Sequence, residues 1–145
     1  MPIVQDVLAV KGSMVHTTDP DATVLAAVQY MNHHKLGALI VMQDGQVKGI
    51  FTERDVLRRV LGELLDPKST KVGSVMTPDV ICVEPETDLD EVSSIMRQKR
   101  IRHLPVCADG GRLRGMVSIG DLNAYHASDQ QAHITFLNDY IYGRV

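Results

Sequence analysis

The chain has 145 residues, 44% of them hydrophobic and 4% aromatic, with no Trp and a formal net charge of −3. That length holds one compact unit or two small ones that need each other, since a half this size buries only ~60% of its unfolded surface. The mild acidity argues against nonspecific nucleic-acid binding. There is no 18-residue apolar run to span a membrane, and no basic, apolar leader in "MPIVQDVLAV" to export the chain, so a cytoplasmic location is expected.

In chain order, "SMVHTT" reads as a short extended segment. The acid–Pro–acid turn around Pro20 opens a helix, with Pro suited to an early helical position. Val24, Leu25, Val28 and Met31 share one face of it. "ALIVM" and "VKGIF" then read as adjacent strands joined at "QDGQ". A second helix is predicted from Arg54 to Leu65, and "LDPKST" is a connector.

The second half repeats this order. "DVICVE" is extended, the turn at Pro85 opens a helix with Leu89, Val92, Ile95 and Met96 on one face, and "LPVC" and "LRGMV" are strands. Pro20 and Pro85, Met31 and Met96, and Val41 and Val106 are each 65 apart, whereas Gly49 and Gly115 are 66 apart. The extra residue belongs in "ADGGR", Ala108 to Arg112. The second helix of this half is predicted shorter. After Ser128, Ile134, Leu137 and Ile141 predict a C-terminal helix over 129–143, packed on the pair or on a second subunit. The expected fold is therefore α/β (α+β), two β-α-β-β-α repeats at 10–65 and 72–127 plus that helix.

Each half writes Gly, two apolar residues, Ser or Thr, any two, Asp: "GIFTERD" and "GMVSIGD". One copy alone is a helix start, a hydroxyl N-cap with an acid three residues on. Two copies in matching places, with "VMTPDVICVEPETDLDEVSSIM", "KRIRHLPV" and "LGALIV", resemble the CBS domain, named after cystathionine β-synthase, in its tandem pair, the Bateman module. The layout looks like the small stand-alone CBS-pair proteins.

The resemblance implies a regulator or sensor, not a catalyst, that binds an adenosyl ligand such as AMP, ADP, ATP, S-adenosylmethionine or NAD(H), forms a homodimer and acts on a partner protein. It implies ribose contacts at Asp55 and Asp121, ribose or phosphate contacts at Thr52 and Ser118, a contact to the adenosyl group at Thr77, and backbone contacts to adenine at Val15, His16, Val80 and Ile81. A carboxylate in a first helical turn repels phosphate and suits a ribose diol, so the phosphate needs separate cations. Arg102 and His103 supply them, whereas Lys99 and Arg100 read as solvated helix-end charges. Arg54 either reaches the phosphate or lies in solvent. At an offset of 65, Gly37 and Ala38 replace Arg102 and His103 in the first half, and Gly12 replaces Thr77, so the two clefts are not expected to be equivalent. The alternative is a dimerisation or scaffold module with empty clefts, the motifs serving as caps only.

Other chemistry is not indicated. The adjacent His33 and His34 point ~100° apart on a helix, and no His-x-x-x-His or Cys-x-x-Cys spacing occurs, so no metal site is expected. His126 and His133 read as surface or contact residues. There is no dinucleotide or phosphate-loop glycine motif and no nucleophile beside a base. Cys82 and Cys107 read as buried reduced thiols, with a disulfide or redox pair as the alternative, and the methionines Met31, Met42, Met76, Met96 and Met116 as core filling.

Overall fold

The computed structural model describes residues 1–141. The order is α1 (Val4–Lys11), β1 (Thr17–Thr18), α2 (Val24–His34), β2 (Ala38–Gln43), β3 (Gln46–Thr52) and α3 (Glu53–Asp55), which runs on into a π-helical stretch, Val56–Leu61. The second half follows with α4 (Val72–Val75), β4 (Thr77–Pro78), α5 (Leu89–Lys99), β5 (His103–Ala108), β6 (Arg112–Ser118) and α6 (Ile119–Ile141). The mixed helix and strand fold and its repetition are as the sequence indicates.

Local chemistry sets these elements. In α2 the Thr23 hydroxyl accepts from Ala26 N–H, and in α5 the Asp88 carboxylate accepts from Asp90 N–H. The prolines do not occupy early helical positions as expected. They stand three residues before the caps, because Asp19 folds a tight turn onto Asp21 N–H and the helix waits for Thr23. Both helices end in a left-handed cation, Lys35 and Arg100. The hairpin between β2 and β3 turns on Asp44 and Gly45, both at positive φ, as a two-residue loop requires. The second hairpin uses Asp109, Gly110 and Gly111, which accommodates the extra residue.

The sheets are β1-β2-β3-β4 and β5-β6. Strand β4 belongs to the second repeat yet pairs antiparallel with β3 of the first. Helix α1 makes the reciprocal crossing. Val4, Val7 and Leu8 are buried among Val83, Leu89, Val92, Leu104 and Val117. Val72 and Val75 of α4 are buried among Val24, Leu39, Val41 and Phe51. A third cluster joins the halves: Ala38, Ile40 and Ile50 against Val15, Val80, Leu113 and Met116. The five methionines contribute to these clusters, Met31 and Met96 buried and the other three partly so.

The same three backbone hydrogen bonds are made twice. Val4 N–H donates to Thr87 O, Gln5 N–H to Pro85 O, and Leu89 N–H to Pro2 O; Val72 N–H donates to Ala22 O, Gly73 N–H to Pro20 O, and Val24 N–H to Thr70 O. They satisfy helix N-terminal donors that would otherwise be orphaned. They also fix a register: Val4 corresponds to Val72, an offset of 68, not 65. The first half thus carries three extra residues between the start of its leading helix and β1. The expected match of Gly12 with Thr77 does not hold, because those residues add a turn to α1, which ends at Lys11 where α4 has already given way to β4.

Two further expectations are corrected. The second helix of the first half ends at Leu61, and the turn beyond it places Leu64 at positive φ. The second helix of the second half is the longer one, since α6 continues through Ser128 to Ile141, and its far part is the expected C-terminal helix. Ile134 is 51% exposed; the side chains of His133, Leu137 and Ile141, and residues 142–143, lie outside the described residues.

The motif glycines answer to the crossing elements. A Cβ on Gly49 would lie 2.4 Å from Thr77 O of β4, whereas one on Gly115 would lie 3.0 Å from the tip of Leu8. Backbone cannot yield as a leucine tip can. Gly49→Ala is expected to destabilise by about 1–3 kcal/mol, in the range of overpacked sites, and Gly115→Ala by less. Equal losses in urea denaturation would contradict this ranking.

Candidate functional site

Residue by residue, the first motif is a closed cap. Thr52 N–H donates to Asp55 Oδ2 at 3.0 Å, and Asp55 N–H donates to Thr52 Oγ1 at 3.4 Å. Asp55 is 5% exposed. Among the described residues its other oxygen, Oδ1, has only long contacts, with Thr77 Oγ1 at 3.4 Å and Arg59 Nε at 3.8 Å. Arg59 is anchored by donating to Met76 O at 2.8 Å. Oδ1 is therefore the oxygen with hydrogen-bonding capacity to spare.

This corner opens on a cavity of about 460 Å³ between the halves. Thr52, Arg54, Asp55 and Gly37 line it from the first half; Thr77, Val80, Ile81, Arg102 and His103 line it from the second. Arg54 faces the cavity, which the sequence left open. Lys99 and Arg100, expected only as solvated charges, stand at its edge, and Arg58 and Arg59 complete it. The last two went unnoticed in the sequence because only helical spacing from Asp55 places them there. Six Arg and Lys side chains thus surround the cavity against three carboxylates, those of Glu53, Asp55 and Asp79, in a chain of net charge −3. Cations gathered in a walled cleft raise the local affinity for an anion.

The second motif is capped alike. Ser118 N–H donates to Asp121 Oδ2 at 2.8 Å and Asp121 N–H to Ser118 Oγ at 3.0 Å. Here Lys11 at the end of α1 also donates to Asp121 Oδ2, at 2.6 Å, and to Met116 O at 2.8 Å. Burial pushes the Asp121 carboxyl up, but the Lys11 ammonium and the Ser118 donors outweigh it and hold the carboxyl below its usual value. Asp121 and Lys11 border a smaller cavity of about 310 Å³ between α1 and α6. Val15 and His16 line neither cavity. Val15 packs between the halves, and His16 Nδ1 is 2.7 Å from the Tyr30 hydroxyl, in a surface group of rings with His33 and His34. Among the described residues no three His, Cys, Asp or Glu side chains are grouped to hold a metal ion, and no helix is long and apolar enough to cross a membrane.

Comparison with known proteins agrees with this architecture. The CBS domain family model matches residues 6–62 and again 72–127. The chain belongs to the CBS domain family. The mitochondrial CBS domain-containing protein CBSX3 of Arabidopsis thaliana is 42% identical over 137 residues, covering 91% of this chain and 66% of that protein. The chain thus spans about two thirds of that relative. The structure of a CBS-domain protein from Burkholderia ambifaria superposes with a TM-score of 0.85 at 38% identity, covering 89% of this chain and 96% of the other. The CBS pair of protein MJ0100, solved with 5′-methylthioadenosine and S-adenosylmethionine, shares the fold at a TM-score of 0.78 and 22% identity, covering 89% and 98%. A CBS pair of this kind is a regulatory module.

Burial lowers the pKa of His103 from 6.5; the Asp121 carboxylate opposes that shift, and Lys11 and Arg102 reinforce it. The unfolded chain therefore binds the proton more readily, and stability falls as pH drops below about 6.5. Asp121 adds a separate loss that begins as pH falls below about 3.8, where the unfolded chain takes up the proton first, and is complete once the native carboxyl is protonated and parts from Lys11. Melting curves of His103→Asn against the native chain are expected to show a shallower decline just below pH 6.5 and the same decline below 3.8. Parallel curves throughout would remove His103 from the account.

Proposed function

We propose that this CBS pair is a cytoplasmic regulatory module that takes an adenine nucleotide in the cavity between its halves. The observation that carries this reading is the composition of that cavity. Its apolar wall, Val80 and Ile81, suits an adenine ring. Asp55 Oδ1 suits the donors of a ribose diol, with Thr52 and Thr77 beside it. Arg102, His103 and Arg54 suit phosphate. His103, neutral by burial, would first meet the phosphate as a hydrogen-bond donor, and the ligand's charge would then favour its protonation. AMP, ADP, ATP and NAD(H) share this chemistry, and the complex of MJ0100 with two adenosyl compounds supports the class.

The second corner differs. Lys11 already occupies Asp121, and the ring group around His16 offers no comparable cavity. The reading therefore gives one strong site per chain, with Ser118, Asp121, Val15 and His16 outside it. Because the site draws on both halves, an occupant favours the arrangement of halves that closes on it, and that population shift is the signal passed to a partner. Leu57, Leu61, Leu64 and Leu65, all exposed, give the first half an apolar strip suited to a homodimer.

Calorimetry with AMP is expected to give one site per chain and a raised melting temperature. Arg102→Ala should weaken AMP by roughly tenfold to a hundredfold, as loss of a charge-assisted hydrogen bond does, and leave adenosine nearly unchanged. Asp55→Ala should weaken both. No thermal shift with any adenine nucleotide would favour a scaffold with empty clefts. Sedimentation of Leu57→Glu/Leu61→Glu is expected to show a monomer where the native chain is a dimer; an unchanged dimer would place the interface elsewhere.

A further inference from the structure

Two side chains beside the cavity remain without a role. Cys82 Sγ and Cys107 Sγ lie 2.9 Å apart, and both are free thiols. The sequence suggests that both are buried, but Cys82 is exposed, because the segment after Asp79 runs without regular structure over the surface before Val83 pairs with Val106. Cys107 is buried in β5. Two backbone bonds hold their neighbours together, Val83 N–H to Pro105 O at 3.0 Å and Cys107 N–H to Val83 O at 2.8 Å. A disulfide has its sulfurs about 2.05 Å apart, so these must close by only about 0.9 Å, within reach of a small side-chain rotation.

We propose that Cys82 and Cys107 form a reversible intrachain disulfide with a peroxide as oxidant, and that this bond stiffens the cavity wall at Val80 and Ile81. Its effect on a nucleotide rests on the function proposed above; the bond itself does not.

The order of events follows from exposure. The Cys82 sulfur attacks one oxygen of hydrogen peroxide, the O–O bond breaks, and Cys82 becomes a sulfenic acid while one water is released. Cys107 then gives up its proton, its sulfur attacks the Cys82 sulfur, and the hydroxyl leaves as a second water. Two thiols and one peroxide give one disulfide and two waters, with two electrons passed to the peroxide. Burial pushes the Cys107 thiol up to about 12, helped by its hydrogen bond to Cys82 and by the charge there. Cys107 is thus inert while Cys82 is reduced. Oxidation of Cys82 makes its sulfur an electrophile, and Cys107 Sγ already lies 2.9 Å from it. A dithiol reverses the bond by exchange.

The bond would join the irregular segment carrying Val80 and Ile81 to β5, the strand that begins at His103. Both ends of the cavity wall would then be tied to one rigid element. Ordering a wall before binding removes a cost the ligand otherwise meets, about that of one or two side chains, so affinity should rise roughly threefold to tenfold.

The test treats the full chain with stoichiometric hydrogen peroxide, then uses non-reducing proteolysis with mass spectrometry and calorimetry with AMP. Expected are a peptide linking Cys82 to Cys107 within one chain, an intact mass lighter by two hydrogens, reversal by dithiothreitol, and tighter AMP binding. Cys107→Ser should leave a sulfenic acid on Cys82 that dimedone traps, and Cys82→Ser should leave Cys107 unmodified. Independent oxidation of the two thiols, or cross-links only between chains, would overturn the bond. A bond with unchanged AMP affinity would overturn the stiffening. If neither redox state binds AMP, the nucleotide reading fails, and the linked peptide together with slower proteolysis between Asp79 and Glu84 still decides the bond and the stiffening.

Discussion

Each half of this protein is completed by a helix from the other side of the repeat. Val4, Val7 and Leu8 fill the second core, Val72 and Val75 fill the first, and the same three backbone hydrogen bonds seat each helix. A half of this size is marginal alone, so the exchange makes the halves one folding unit. It also brings β4 against β3, which sets Thr77 opposite Asp55 and turns the chain so that Val80 and Ile81 face the first motif. The cavity is a product of the exchange, and neither repeat could form it alone.

The exchange is symmetric in its hydrogen bonds but not in its length. Three extra residues give α1 a turn that α4 lacks, and that turn delivers Lys11 to Asp121. In the first half Asp55 meets Arg59, which is itself committed to the carbonyls of Val75 and Met76. One acidic corner is thus neutralised by a lysine at 2.6 Å, while the other keeps an oxygen with spare capacity. A larger difference lies in the cations, since Arg102 and His103 line the cavity on which the first motif opens. The two motifs are near copies in sequence, yet they end in different electrostatic surroundings.

Much of this was legible beforehand. The repeat, the mixed helix and strand order, the hairpins and the extra loop residue follow from apolar spacing, Gly at turns and matched motifs. Of the twelve candidate site residues, Thr52, Arg54, Asp55, Thr77, Val80, Ile81, Arg102 and His103 gather around one cavity. Val15 and His16 do not join Ser118 and Asp121 in a comparable one. The reason is a shift of register: an offset of 65 holds from Pro20 to Val41, but the leading helices are offset by 68, and no local pattern marks where three residues were absorbed. Cys82 was misjudged for a related reason, since an apolar neighbourhood in sequence does not tell a strand from a segment lying over the surface.

By itself the sequence determined the family, the repeated elements and the chemistry available at each motif, because these depend on residue types at short, regular spacing. Tertiary structure decided which motif meets which cations, that Lys11 closes one corner, and that two cysteines 25 residues apart touch. Those outcomes depend on how the helices exchange between halves, and contacts between distant parts of the chain leave no periodic trace in it.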